Sequence, residues 1–114
     1  MTGFTHRELA AGRWWTLSLA EQLGNVGSEV SRTLKWRSRN PELARRSLER
    51  ALELFHLTLD DPRHRSSVAR LREICRAREV FVDYVAGSNQ YRSNDFTIQR
   101  YFDAFACAAA LLKR

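Results

Sequence analysis

Arginine is the residue type with the most chemistry to offer in this sequence. Arg outnumbers Lys 17 to 2, and a guanidinium fork pairs in bidentate fashion with phosphate or carboxylate. Arg45, Arg46, Arg50, Arg72 and Arg76, with Arg70 beside them, form a candidate nucleotide- or RNA-binding face. Acids stand at helical spacing from several of these, namely Glu42 and Arg46, Arg45 and Glu49, Arg50 and Glu53, and Glu73 and Arg76. Such pairs equally describe an ordinary solvated helix surface.

Glu53-Leu-Phe-His56 places a carboxylate and an imidazole one helical turn apart, half of a di-metal bundle site. No second ExxH accompanies it, and His6 and His64 lie near helix starts, so no metal is expected. The sequence has no glycine-rich phosphate loop, GxSxG elbow or HExxH, and it implies no cofactor. Cys75 and Cys107 fall on apolar positions and read as inert core thiols.

The first helical segment carries two unusual faces. Ala20, Gly24, Gly27 and Ser31 recur at steps of four, three and four, and each internal glycine costs about 1 kcal/mol relative to alanine. A close helix crossing, within the chain or between two subunits, would offset that cost. Beside them run Glu21, Asn25, Ser28 or Glu29, and Arg32. Arg78 falls on the apolar pattern of a later helix, where a charge must pair or snorkel. Glu21, Glu29, Asp83 and Asp103 are its candidate partners, in a buried polar cluster with Asn25. Trp14 and Trp15 are adjacent and point about 100° apart on a helix, so one of them, like Trp36, suits a rim or subunit interface. Tyr84, Tyr91 and Tyr101 add phenol hydroxyls.

These residues sit on a short, strongly helical chain. It has 114 residues, is 44% hydrophobic and carries a net charge of +6, which fits one folded domain spanning 1–114. All of that net charge falls in residues 32–80, which hold 13 Lys or Arg and 7 Asp or Glu. The longest apolar run, Ala104 to Leu112, is too short to span a bilayer. With no apolar leader segment and no disulfide framework, a cytoplasmic protein is expected.

Four helices are predicted. The first covers about 5–37, with a capping box from Thr5 to Glu8, a staple of Phe4 on Leu9 and a break at Gly12, after which the main helix starts near Arg13. The second, 41–59, starts with Asn40-Pro41-Glu42 and carries Leu48, Ala51, Leu52, Phe55 and Leu59 on one face. The third, 62–86, follows Asp61-Pro62, with Val68, Leu71, Cys75, Val82 and Val85 as its stripe and Gly87 as its stop. The last, 94–113, is capped by Ser93 or Asn94 and buries Ile98, Phe102, Phe105, Ala109 and Leu112. Short connections favour an all-α, up-and-down antiparallel four-helix bundle.

The stretch from Trp15 to Arg32, with Asn40 to Leu59 and Leu71 to Tyr84, resembles a small uncharacterised prokaryotic all-helical family. More loosely, the design is similar to HEPN-type bundles. That resemblance implies a dimer, RNA cleavage or partnership with a nucleotidyltransferase, and an Arg-x4–6-His motif that Arg50 and His56 match. The residue after Arg50 is Ala51, where that family prefers a polar one.

The leading expectation is a non-enzymatic protein acting by protein–protein contact as a homodimer, with Trp14, Trp15, Ala20, Gly24, Gly27, Ser31 and Trp36 at the interface. The alternative is a nucleotide- or RNA-binding module that uses the arginine face.

Overall fold

Capping side chains start each helix from Leu19 onward in the computed structural model, which describes residues 11–112. Ser18 and Glu21 form a reciprocal capping box that opens α1, Leu19–Trp36. Asn40 accepts from the Leu43 amide ahead of Pro41, opening α2, Pro41–Leu59. Asp61 caps the single turn α3, Pro62–Arg65, and Ser67 caps α4, Val68–Ala86. The Asn94 and Thr97 side chains each accept the other's backbone amide, both at 2.9 Å, at the start of α5, Asp95–Leu112. These caps satisfy amides that have no partner within their own helix. Residues 11–14 are also helical, and the described residues contain no strand, so the class is all-α.

α1 packs most broadly against α2 and α5, while α2 also meets α4. All four long helices feed one core, in which Leu23, Val26 and Val30 meet Ala51, Phe55, Ile74, Ala77, Phe81 and Ile98. Phe55, Phe81 and Phe102 meet at its centre with ring centroids 6.3–6.5 Å apart, a spacing that suits tilted and edge-on aromatic pairs. The small-residue face of α1 is consumed by α5. A Cβ on Gly24 would lie 3.0 Å from the Ala106 Cα, and one on Gly27 would lie 2.9 Å from the Phe102 Cβ. The Ser31 hydroxyl donates to the Gln99 side chain. The close crossing that the glycines called for is therefore made inside the chain.

Two boundaries and one face differ from expectation. The main first helix begins at Leu19, not near Arg13, because the chain turns at residues 15–18 before the Ser18 box. The predicted box at Thr5 and staple at Phe4 lie outside the described residues. The third predicted helix is two, since the chain leaves the helix at Ser66 and Ser67 restarts it. On α4 the core face is Ile74, Ala77, Val80 and Phe81, one residue out of phase with the expected stripe. Val68 is consequently exposed, and Cys75 is exposed along with Cys107 on α5. These are surface thiols, not core ones. At the far end of α5, Leu112 is exposed rather than buried.

Candidate functional site

Two polar stripes face each other across the α1–α2 seam. Asn25, Ser28, Glu29, Arg32 and Trp36 recur at steps of three or four along α1, and Arg46, Ser47, Arg50 and Leu54 do the same along α2. Residues so spaced share one helix face. Together they line a groove of about 610 Å³, with Trp14 as a further wall.

Glu29 anchors the charge in this groove. It is only 5% exposed, and the Arg32 guanidinium donates to its Oε1. Arg50 Nε lies 3.6 Å from Oε2, although the Arg50 side chain is 74% exposed. Arg46 Nε stands 3.5 Å from a Glu42 oxygen at the groove's edge. Two guanidiniums thus meet one buried carboxylate, which neutralises only part of their charge, while Arg46 lines the groove beside them and pairs with the exposed Glu42. Each guanidinium carries five donors, so most of this donor set points to solvent.

Trp14 is fixed by its partners. Its indole Nε1 donates to Thr58 Oγ1 at 2.9 Å, and its carbonyl accepts from Gln22 Nε2 at 3.0 Å. Trp15 Nε1 donates to the Leu57 carbonyl at 2.7 Å. Both adjacent indoles thus reach the end of α2, Trp14 from the last of the helical residues 11–14 and Trp15 from the turn that follows.

Beneath Trp14 is a buried polar network that sequence reasoning missed. Gln22, Asp61 and His64 are all under 2% exposed. Gln22 Nε2 donates to Asp61 Oδ2 at 2.9 Å, and Gln22 Oε1 lies 2.7 Å from His64 Nε2. With both Nε2 hydrogens of Gln22 aimed at acceptors, its oxygen must face a donor, so neutral His64 carries its proton on Nε2. His64 Nδ1 is buried with no hydrogen-bond partner among the described residues. Arg63 closes the network, donating to Asp61 and, at 2.5 Å, to the Leu17 carbonyl. Burial pushes the Asp61 carboxyl up, but hydrogen bonds from Arg63 and Gln22 outweigh it and bring the pKa down to about 2. Burial holds the His64 imidazole below its usual value despite the neighbouring Asp61. The available signals were Asp61 just before Pro62 and a histidine three residues later, both of which also fit an ordinary helix start.

The remaining candidates are dispersed. Arg45 is tied to Glu42 and Glu49, and its hydrogen bond and charge hold the Glu42 carboxyl below its usual range. Arg72 and Arg76 are exposed on α4, where Arg76 lies 5.6 Å over the Tyr91 ring. The sequence-read arginine face therefore divides, with Arg46 and Arg50 joining Arg32 in the groove. Arg32 joins them from the polar row that runs beside the glycines of α1.

The polar cluster expected around Arg78 divides as well. Arg78 is half-buried off the core face. Glu21 caps α1, Asn25 lines the groove, and Asp83 accepts the Gln90 and Tyr91 amides at 2.8 and 3.0 Å. Asp103 accepts from Gln99 at 3.0 Å. Ala20 is half-buried on α1. Tyr84 donates to Asp95 under the Arg37 guanidinium, which lies 4.7 Å from its ring, and the Asp95 bond raises its pKa. Arg50 and His56 stand about 120° apart around α2 and about 9 Å apart along it by helix geometry, and His56 is exposed. Among the described residues, no group of three His, Cys, Asp or Glu side chains could hold a metal ion, and no helix is long and apolar enough to cross a membrane.

Comparison with known protein families, curated proteins and solved structures finds no match.

Proposed function

We propose that this protein is a non-enzymatic binding module that takes a phosphate-bearing anion in the α1–α2 groove. The observation that carries this reading is that Arg32, Arg46 and Arg50 line one groove whose single lining acid, the buried Glu29, pairs with Arg32 and Arg50. Arginine forks are suited to planar, bidentate recognition of phosphate oxygens. The groove's volume lies within the range of about 300–1,000 Å³ common for small-ligand sites. Its one acid is buried and ion-paired, an arrangement suited to orienting guanidiniums rather than to abstracting a proton. The wide angle between Arg50 and His56 favours binding over RNA cleavage by that pair. Titration with pyrophosphate tests the reading. Binding should weaken with added salt and be lost when Arg46 and Arg50 are changed to Gln.

The finer architecture belongs to the same proposal. We read the four long helices as an up-and-down antiparallel bundle, supported by the short connections at 37–40 and 87–94 and by the core shared among all four. Two exposed free thiols favour a reducing, cytoplasmic setting.

A homodimer is the second reading, and a different surface favours it. Gly24 and Gly27 face α5, whereas Phe96, Leu111 and Leu112 on α5 are 71%, 60% and 75% exposed. Exposed apolar side chains of this size on one helix suit a subunit contact. Sedimentation of the wild type against a Leu111→Glu, Leu112→Glu variant tests it: a wild-type monomer at micromolar concentration would remove the dimer.

A further inference from the structure

The groove is larger than a phosphate needs, and apart from the arginines and Glu29 its lining is aromatic, aliphatic and neutral polar. Trp36 is half-buried and lines the same groove one helical turn beyond Arg32. Side chains at that spacing stand about 6 Å apart at Cβ, close to the distance between the phosphate and the base of a nucleotide. Lys35 Nζ sits over one face of the Trp36 ring, 5.1 Å from its centroid, so a base would stack on the opposite face. Ser47 adds a hydroxyl to the lining from the facing helix, available to a ribose.

We infer that the groove takes a nucleoside 5′-phosphate, with its phosphate on Arg32, Arg46 and Arg50 and its base stacked on Trp36. This inference rests on the anion-binding reading above and adds the base. The chemistry is common to a free nucleotide and to the 5′-phosphorylated end of an RNA strand. Trp14 is the internal control, because its indole N–H is committed to Thr58 and its backbone carbonyl to Gln22.

Calorimetric titration of the full chain with AMP, ribose 5-phosphate and a 5′-phosphorylated oligoribonucleotide tests it. Base–aromatic stacking predicts that AMP binds about tenfold more tightly than ribose 5-phosphate. Trp36→Leu should shrink that ratio to below about twofold and leave ribose 5-phosphate binding unchanged, while Trp36→Phe, which keeps a stacking ring, should preserve it. The oligonucleotide binding more tightly than AMP would support the strand end, and equal binding would support the free nucleotide. Equal affinity for AMP and ribose 5-phosphate in the wild type, with both lost in Arg46→Gln, Arg50→Gln, would overturn the stacked base and leave the anion site standing. A base preference that survives Trp36→Leu but vanishes in Trp14→Leu would overturn the assignment to Trp36. Failure of every phosphate ligand to bind the folded wild type would instead remove the anion site itself.

Discussion

Gly27 of α1 is buried against Phe102 of α5 so closely that an added Cβ would lie 2.9 Å from the Phe102 Cβ. Around Gly12, in contrast, an added Cβ would meet nothing within 4 Å. The two glycines therefore answer oppositely to the same substitution. Gly12→Ala should stabilise the protein by about 0.5–1 kcal/mol through helix propensity and a less flexible unfolded chain. Gly27→Ala gains that term too, but overpacking costs about 1–3 kcal/mol, so its net effect should be destabilising. Urea unfolding of both variants checks the pair, and a more stable Gly27→Ala would refute the tight crossing.

Asp61 should make stability acid-sensitive. Its folded pKa of about 2 lies below the ordinary value of 3.8. A carboxyl depressed in this way contributes stability that is present above the unfolded pKa and lost as pH falls through the folded one. The loss should amount to about 2 kcal/mol, at 1.36 kcal/mol per pKa unit, spread between about pH 4 and pH 2. Asp61→Asn should be less stable at neutral pH and lack that part of the acid limb in pH-dependent urea unfolding.

His64 should act at milder acidity. Because burial lowers its folded pKa below the ordinary 6.5, the unfolded chain takes up its proton first as pH falls. Stability is then complete above pH 6.5 and declines below it. Protonation would also put a donor on Nδ1, which is buried with no partner among the described residues. Melting temperatures between pH 8 and 5 should fall in the wild type and change less in His64→Gln. Equal slopes would show that His64 titrates normally.

Much of the helical framework was legible because its signals are local. Asn40-Pro41 and Asp61-Pro62 mark helix starts by chemistry contained in a few residues, and α2 buries Ala51 and Phe55 of the stripe that its periodicity predicts. α4 was misread because it carries two overlapping apolar phases, Leu71, Cys75, Val82 against Ile74, Ala77, Phe81. Only packing against Phe55 and Phe102 selects the second. That choice moved Arg78 and Cys75 off the core. The turn at 15–18 was hidden because Trp15 and Leu19 continue a helical period across it, although Ser18 and Glu21 had the capping-box spacing.

The site was less legible than the fold. Gln22 meets Asp61 and His64 across separations of 39 and 42 residues, and no local pattern encodes such a meeting. Arg46 and Arg50 were visible as part of a basic face. Their grouping with Arg32 and Glu29 depends on how α1 and α2 are rotated against each other, which single-helix periodicity leaves open. The glycine stripe announced a close crossing without naming the partner helix, and α5 proved to be that partner.

The central claim is that the Arg32, Arg46 and Arg50 groove holds a phosphate-bearing anion. Its most direct test is calorimetric titration with pyrophosphate at several salt concentrations. The wild type would be compared with a folded Arg32→Gln, Arg46→Gln, Arg50→Gln variant and an Arg72→Gln, Arg76→Gln variant. The groove predicts salt-weakened binding in the wild type, a loss of at least about tenfold in the first variant, and near wild-type binding in the second. Binding that survives in the first variant and disappears in the second would contradict it and move the anion site to α4.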